Sequence, residues 1–471
     1  MKLEQLLSFM TDKDIENMHL SVLKILKEIG VLVESKPILE KLSEFGAEID
    51  LKTQVARFPS KIVENYINSI ERYDWTNHKT RIDSGVGVCY GKYLDPETNK
   101  YEEWTEKRLA DYVKLSKALS NVSGIGILGC PIKDIPGEIH PVYSKYLHWK
   151  LGIPNVGYVI NDIELCPYIE EFHHVRAEAI GLDFKKSIHG GVFLISPLKF
   201  PRTEAEQFLY FAERGYTCFI DHMISMGGSG TVTVPGTVAI HLAESIFTSI
   251  VQYLYYGTKT LYCECSMSPL DMKGAGFCYG RPEKTAANLM FGQMAVHYGA
   301  EYIGQTGLAD AKTPGSEAAS QKLLTAIPNL MYFKQAHYAA GMLSIDEVGS
   351  PIQMILDNEV VGALKRLVKP EPVNDDTIAF DTIKEAGHGG LFTDKMHTAE
   401  NFREEIWDSK LWSSDLFDGW TIKGSKSAED LALEMWKEIM EQPDPEPAMT
   451  PEAEKKVKDI IDRALKFKRR E

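Results

Sequence analysis

The feature that most constrains the fold of this 471-residue chain is a strand-then-helix alternation that begins near Thr105 and continues to about residue 366. Short apolar runs alternate with stretches of helical period, and some of these helices open with a capping pattern such as Thr203-x-x-Glu206. The run Val192-Phe-Leu-Ile195 is apolar without alternation, as buried parallel strands are. The predicted strands are 124–129, 155–160, 187–195, 216–220, 258–265, 301–306 and 331–338.

Seven such units in series favour an α/β fold of the (β/α)8 TIM-barrel type over a doubly wound sheet, because barrels join many units without interruption. The position of the eighth strand stays open between residues 223–234 and the neighbourhood of Leu391. The predicted domains are an N-terminal helical cap with a hairpin flap (1–104), the barrel core (105–368) and a mostly helical C-terminal region (369–471).

The hairpin flap is predicted from two short extended segments, 86–90 and 100–104. Between them, Asp95-Pro-Glu-Thr-Asn99 has the composition of a tight turn. The flap adds tyrosines close to the predicted barrel mouth.

Charge and composition exclude several classes of partner. Acidic residues number 67 against 52 basic ones, so the net charge of −15 disfavours binding to nucleic acid or to an anionic membrane surface. The sequence shows neither an evident run of roughly 20 apolar residues nor a signal-peptide core. Seven cysteines, an odd number, fit a reducing compartment, so a cytoplasmic protein is predicted.

Several well-known motifs are absent from the sequence. There is no Gly-x-Gly-x-x-Gly after a strand, no phosphate-binding Gly-x-x-x-x-Gly-Lys, no Gly-x-Ser-x-Gly and no His-Glu-x-x-His.

Cys263 and Cys265 lie on the same face of a predicted strand. A zinc site formed by these two cysteines with Cys278 or His297 is one interpretation. Small buried side chains without a ligand role are the favoured interpretation of these cysteines. No metal is therefore expected.

Candidate site residues follow from the barrel prediction, because barrel enzymes carry their sites at the carboxyl ends of the strands. These positions are rich in aromatic residues and lack a matched acid–base pair, which favours a cage for a quaternary ammonium group. The expected substrate-binding residues are Tyr90, Tyr93, Tyr158, Phe193, His222, Lys312, His337 and Phe392.

Within this set, Lys312 is the candidate anchor for a substrate carboxylate. Asp221, His222 and His337 are the candidate catalytic residues. For Asp221 and His222 a catalytic dyad and a structural hydrogen bond to the backbone are both open. For each aromatic residue the alternative is packing in the core.

Several segments together resemble one known family. The first helix, 19–31, the loop Gly228-Ser-Gly-Thr-Val-Thr-Val-Pro-Gly236-Thr, and the segments 307–312 and 387–403 are similar to the trimethylamine methyltransferase family of corrinoid-dependent enzymes. The founding enzyme carries pyrrolysine, whereas this chain contains standard residues alone. The resemblance therefore implies the non-pyrrolysine branch, whose members demethylate quaternary amines.

The activity implied by this resemblance is transfer of a methyl group from glycine betaine or a related betaine to the Co(I) corrinoid of a separate, cognate corrinoid protein. Proline betaine and carnitine are alternative substrates, and a non-catalytic quaternary-amine binding protein is the alternative function. The Asp-x-His-x-x-Gly motif of corrinoid-binding domains is absent, so this chain is expected to bind no corrinoid itself. A homo-oligomer is also expected.

Overall fold

The structure, a computed structural model, describes residues 9–88, 91–127, 132–153 and 162–469. These residues form a mixed α/β fold with many helices. The helices are α1 (Asp12–Lys24), α2 (Lys36–Phe45), α3 (Ser60–Ser69), α4 (Glu106–Ala118), α5 (His140–Lys150), α6 (Cys166–Ile180), α7 (Phe184–Ser187), α8 (Arg202–Ala212), α9 (Val234–Tyr256), α10 (Pro282–Tyr298), α11 (Ser316–Phe333), α12 (Pro351–Leu367), α13 (Asp375–Ile378), α14 (Phe380–Ala386), α15 (Met396–Glu405), α16 (Phe417–Ile422), α17 (Ala428–Glu441) and α18 (Pro451–Lys468).

The strands are short, and most of them precede a helix. They are β1 (Val31–Val33), β2 (Glu48–Asp50), β3 (Val55–Arg57), β4 (Arg81–Asp83), β5 (Gly85–Val88), β6 (Lys92–Leu94), β7 (Tyr101–Glu102), β8 (Gly124–Ile127), β9 (His189–Ile195), β10 (Lys199–Phe200), β11 (Thr217–Met226), β12 (Tyr262–Cys265), β13 (Met267–Pro269), β14 (Glu301–Gly304), β15 (Gln335–His337), β16 (Met342–Leu343) and β17 (Val348–Gly349).

Parallel pairs link most of these strands into one series, which we call the strand arc. β9 pairs with β11, β11 with β13, β12 with β14, β15 with β4, and β5 with β8. β12 and β13 are separated by Ser266 alone, as β4 and β5 are by Ser84. Between β14 and β15, the Thr306 hydroxyl accepts a hydrogen bond from the backbone N–H of His337 at 3.0 Å. The order along the arc is therefore β9, β11, β13/β12, β14, β15, β4/β5 and β8.

Six of the seven predicted strands lie at least in part within the described residues, and each overlaps an observed strand of the arc. The seventh, 155–160, lies outside the described residues, so closure of the arc into a (β/α)8 barrel stays a prediction. Neither of the two positions suggested for the eighth strand forms a strand of its own. Residues 217–226 form a single strand, and Leu391 lies in an exposed loop. The additional strand comes instead from β4 and β5.

The hairpin flap is present with a different first strand. β6 and β7 pair antiparallel around the Asp95 turn, with Tyr93 opposite Glu102. β5 was expected in this hairpin, but it pairs in parallel with β8 instead. In that pair Gly85 lies opposite Gly124, and Gly87 lies opposite Gly126. Both strands therefore have glycine at alternate positions, and the glycines of one face those of the other. Residues 89 and 90 lie outside the described residues.

The N-terminal part is joined closely to the strand arc. β1 pairs in parallel with β10, and β4 and β5 belong to the arc itself. At the C-terminal end, α18 packs against α6, and the Tyr146 hydroxyl donates to Glu454 at 2.6 Å. The division into domains at 104 and 368 stays a prediction, and the sheet pairing crosses the first of these boundaries.

Helix α9 differs from the expectation that no segment is apolar enough to span a membrane. Its 23 residues are long and apolar enough by length and composition. However, 78% of its most apolar stretch is buried inside the protein. It is therefore a core helix, and its burial explains its composition.

Residues 373–422 contrast with this core. None of the helices α13 to α16 contains a buried residue. The large apolar side chains exposed in this segment, which we call the apolar C-terminal surface, are Val373, Ile378, Phe380, Ile383, Leu391, Phe392, Met396, Phe402, Ile406, Trp412, Leu416, Phe417 and Ile422.

Candidate functional site

Strand β11 presents two different faces because successive side chains of a strand point to opposite sides. Cys218, Ile220, His222 and Ile224 are each at most 2% exposed on the side that α9 covers. On the other side, Phe219 is 45% exposed, so this side of the strand is covered less completely. The strand therefore separates a packed layer from a more open one.

Neighbouring strands extend the more open side. Phe193 lies opposite Asp221 in the β9–β11 register, and the Phe219 and Tyr262 rings stack with centroids 6.3 Å apart at an interplanar angle of 27°. We call this set the open face. Its residues are Phe193, Ile195, Phe219, Asp221, Met223, Tyr262 and Glu264.

The open face carries two interacting carboxyl groups. Burial and the neighbouring Glu264 carboxylate raise the pKa of Asp221. Burial also raises the pKa of Glu264, although Tyr262, whose hydroxyl donates to Glu264 at 2.6 Å, opposes that shift. No Lys, Arg or His forms an ion pair with either carboxyl group within the described ranges. With its pKa raised to about 8, Asp221 is protonated at neutral pH, and the negative charge of the pair lies on Glu264. That charge next to aromatic rings makes this face suited to a cation.

Behind the open face, polar side chains are enclosed between the strands and the helices. We call this set the buried layer, and each member is at most 2% exposed. Its residues are His222, His241, Glu244, Lys284, Lys322 and Asp357. Burial lowers the pKa of both His222 and His241 to about 3, so both imidazoles are neutral at physiological pH.

The two lysines of the buried layer donate hydrogen bonds to protein acceptors. The Lys284 ammonium donates to the Met267 carbonyl and the Ser268 hydroxyl, each at 3.0 Å, and to the Gln305 side chain at 2.8 Å. Burial lowers the pKa of Lys284 to about 8. It therefore holds Gln305 at the carboxyl end of β14.

Lys322 forms a buried ion pair in the same layer. Its ammonium lies 2.5 Å from Asp357 and donates to the Ala339 carbonyl at 2.7 Å. Asp357 in turn accepts from the Gly341 backbone N–H at 2.8 Å and from Gln353 at 2.7 Å. The pair fixes the loop that follows β15.

The structure brings together some of the residues predicted for the site. Phe193 and Asp221 lie on the open face, where Glu264 joins them. His337 lies half-buried at the carboxyl end of β15, beside Asp83, and burial lowers its pKa. Tyr90 and Tyr158 lie outside the described residues.

Other predicted residues are elsewhere. Tyr93 is 3% exposed and packs between the rings of Trp104 and Tyr112. Lys312 is an exposed loop residue whose ammonium donates to the Asp310 carbonyl at 2.7 Å. Phe392 belongs to the apolar C-terminal surface. Binding roles for these residues stay predictions that the geometry does not test.

The catalytic dyad considered for Asp221 and His222 does not form. The two side chains point to opposite faces of β11, and Asp221 accepts from the His222 backbone N–H at 2.7 Å rather than from its imidazole. The structural hydrogen bond to the backbone is thus present, and a catalytic role for either residue stays a prediction.

The cysteine alternative gains no further ligands. Cys263 and Cys265 are completely buried on the β12 face opposite to Tyr262 and Glu264, and burial raises the pKa of the Cys265 thiol to about 12. Among the described residues, the group of metal-type side chains that does converge contains neither cysteine. It consists of His222, His241 and Glu244.

Sequence reasoning missed Phe219 and Tyr262 because it selected residues at strand ends rather than along one face. The available signal was the two-residue period, which places Phe219 with Asp221 and Tyr262 with Glu264. Lys284 was missed because a lysine in the first turn of a helix normally faces water.

Comparison with known proteins identifies the family of this α/β protein as one of methyltransferases. The family model described as trimethylamine methyltransferase (MTTB) matches residues 3–466, and the chain belongs to this family. The resemblance noted in the sequence is thereby confirmed.

Two curated relatives illustrate the range of the family. A trimethylamine methyltransferase MttB of Desulfitobacterium hafniense (strain DSM 10664 / DCB-2) is 27% identical over 93% of this chain and 90% of its own length. A glycine betaine methyltransferase of Desulfitobacterium hafniense (strain Y51) is 24% identical over 96% of each chain. The names of the two relatives differ in substrate, so family membership leaves the substrate open.

Proposed function

We propose that this protein transfers a methyl group from a quaternary amine, with glycine betaine or a related betaine as substrate, to the Co(I) corrinoid of a separate corrinoid protein. The observation that carries the proposal is the open face. There, the stacked rings of Phe219 and Tyr262 lie beside the Asp221 and Glu264 carboxyl groups. Such a surface attracts a permanent cation through both the ring faces and the negative charge.

The same surface suits the chemistry. In the transfer the C–N bond breaks, its electron pair stays on nitrogen, and the methyl group passes to the reduced cobalt, which supplies the nucleophile. The amine leaves neutral, so no residue has to donate a proton to it. The open face would act by holding the ammonium group in one orientation, which is the main contribution that positioning makes to catalysis.

Further parts of the proposal concern the fold and the partners. We propose that the strand arc closes into a (β/α)8 barrel, with the open face inside it, and that the corrinoid protein reaches its mouth. This chain would carry no corrinoid of its own, and a cytoplasmic location fits this role. The net charge of −15 would make docking of the corrinoid protein sensitive to salt.

A homo-oligomer is also part of the proposal. The apolar C-terminal surface exposes thirteen large apolar side chains within 50 residues. Contiguous apolar surface of this kind marks association sites more often than free surface. In a homo-oligomer, a second copy of the chain would cover this surface permanently and exclude water from it.

The deciding experiment is an assay of methyl transfer to reduced cobalamin. The change in visible absorbance on methylation of the cobalt measures the reaction. The purified chain is tested alone, with free reduced cobalamin, and with a corrinoid protein. The substrate panel contains glycine betaine, proline betaine, carnitine and trimethylamine. We expect methylation with at least one betaine, and none by the chain alone.

Glu264→Gln is the matched variant for this assay, and Glu438→Gln, an exposed carboxyl group on α17, is its control. We expect the first to lower the rate strongly and the second to leave it unchanged. Binding of betaines without methylation under any condition would support the alternative of a non-catalytic binding protein. Corrinoid that copurifies with the chain in equal amount would contradict the proposed division of roles.

A further inference from the structure

Three polar side chains of the buried layer converge between β11 and α9. His222 belongs to β11, and His241 and Glu244 belong to α9. One ligand atom from each residue lies within 4.8 Å of the other two. The imidazole rings of His222 and His241 have centroids 4.2 Å apart.

The Nε2 atoms of both imidazoles face backbone carbonyl groups. His241 Nε2 lies 2.9 Å from the Glu264 carbonyl oxygen, and His222 Nε2 lies 3.2 Å from the His241 carbonyl oxygen. The Ser266 backbone N–H also approaches His241 Nε2, but at the longer distance of 3.3 Å. His222 Nε2 also lies 3.1 Å from the Ser245 hydroxyl, which donates its own proton to the His241 carbonyl at 3.0 Å and can therefore accept from the imidazole. These contacts assign the proton to Nε2 in each ring, which leaves a lone pair on each Nδ1.

The two Nδ1 atoms are buried and without a hydrogen-bond partner in the part of the chain that the structure describes. The Nδ1 atom of His241 is 3.7 Å from the Glu244 carboxylate. That carboxylate is oriented by the Ser196 hydroxyl and the Leu198 backbone N–H, which both donate to it at 2.8 Å. One potential metal ligand from each of the three residues thus lies close to the other two, and both Nδ1 atoms have no hydrogen-bond partner among the described residues.

We propose that His222, His241 and Glu244 form a binding site for a divalent transition-metal ion, with Zn²⁺ as the preferred ion. Two imidazoles and one carboxylate are a recurring donor set for zinc. Metal-bound imidazoles usually donate their second N–H to a carbonyl or carboxylate, as both rings do here. The proposal is independent of the proposed reaction.

The ion would have a positioning role. It would connect β11 to α9 and, through Glu244, to the residues that follow β9. His222 is next to Asp221 in the chain, and His241 holds the backbone of Glu264. The site would therefore fix the backbone from which both carboxyl groups of the open face project.

The test measures metal content directly on the full chain. The protein is stripped with a chelator, incubated with Zn²⁺, freed of unbound ion and examined by mass spectrometry for metals. We expect about one zinc ion per chain and a higher melting temperature than for the stripped protein. Replacement by Co²⁺ should give visible absorption bands of a low-coordinate site.

Glu244→Gln retains the size and most hydrogen bonds of the side chain and should weaken zinc binding by about a hundredfold or more. His297→Gln, which changes an exposed imidazole on α10, is the matched control and should retain zinc. Wild-type protein that binds no zinc or cobalt after this treatment would overturn the proposal, whether or not the variants fold.

Discussion

The open face and the buried layer lie on opposite sides of the same strands, and they treat polar groups differently. In the buried layer the Lys284 ammonium donates three hydrogen bonds and the Lys322 ammonium donates two, all to protein acceptors. On the open face, Asp221 and Glu264 interact with each other and have no cationic partner among the described residues. Polar groups that are matched within the protein serve the fold, whereas unmatched ones are available to a ligand.

The largest expected effect is a loss of stability on breaking the buried ion pair between Lys322 and Asp357. Lys322→Met leaves Asp357 buried without its partner, and we expect a loss of about 3–5 kcal/mol in the free energy of unfolding. Urea denaturation measures this loss. The double variant Lys322→Met with Asp357→Asn should recover much of the stability. A single variant as stable as wild type would contradict the assignment of this layer to the fold.

The second effect depends on pH and arises from Lys284. Its pKa is about 8 in the folded protein and near 10.4 in the unfolded chain, because burial disfavours the charged amine. Between these values the unfolded chain binds more protons, so Lys284 makes stability rise with pH by up to about 3 kcal/mol. Lys284→Met should remove this rise between pH 8 and 10. The measurement is the unfolding free energy at several pH values, with Lys437→Met as the exposed control.

Substitutions on the open face should have the opposite effect: they should change the affinity for a cation and leave the stability of the fold unchanged. At pH 9, above the raised pKa of Asp221 of about 8, Asp221→Asn removes a charge next to the bound ammonium, which corresponds to about 2–3 kcal/mol of interaction. We expect the affinity for tetramethylammonium, measured by calorimetry, to fall roughly thirtyfold or more, without a loss in melting temperature. Unchanged affinity together with a lower melting temperature would place Asp221 with the buried layer instead.

A smaller effect is expected from the rings of the open face. Phe219→Leu retains an apolar side chain but removes the ring over which a cation can bind, at a cost of about 0.5–2 kcal/mol. Affinity for tetramethylammonium should fall up to about thirtyfold, while Phe380→Leu on the apolar C-terminal surface should leave it unchanged. Equal effects of the two variants would contradict the role of the Phe219 ring.

The smallest effect is expected at Lys312, the residue predicted to anchor a substrate carboxylate. Its ammonium donates to a carbonyl of its own loop and is exposed, so Lys312→Met should change the affinity for glycine betaine less than threefold. Comparison of glycine betaine with tetramethylammonium isolates the carboxylate. A selective loss of more than tenfold for glycine betaine would show that this loop reaches the substrate.

The sequence predicted the positions of most strands of the arc because apolar runs are local signals. The capping pattern Thr203-x-x-Glu206 is not confirmed, since α8 begins at Arg202 without a side-chain cap. β4 was not predicted, and β5 was predicted as an extended segment but with the wrong partner, because its pairing with β8 is a contact between separate parts of the chain. The side of each strand was harder to predict than its position. Asp221 and His222 are neighbours in sequence, yet they belong to different regions. That distinction depends on how α9, the helix that follows β11, packs on the His222 side of the strand, which the local pattern does not show.

Helix α9 also has a consequence for the synthesis of this protein. As the chain leaves the ribosome, α9 emerges as a segment that membrane-insertion machinery can accept, and α10, which later packs against it, has not yet been made. Strand β11 and helix α1 precede it and pack against it, so they are the first surfaces that can cover it. Changes that delay the pairing of β9 with β11 should therefore divert newly made chains to chaperones or membranes, even where the finished protein tolerates them.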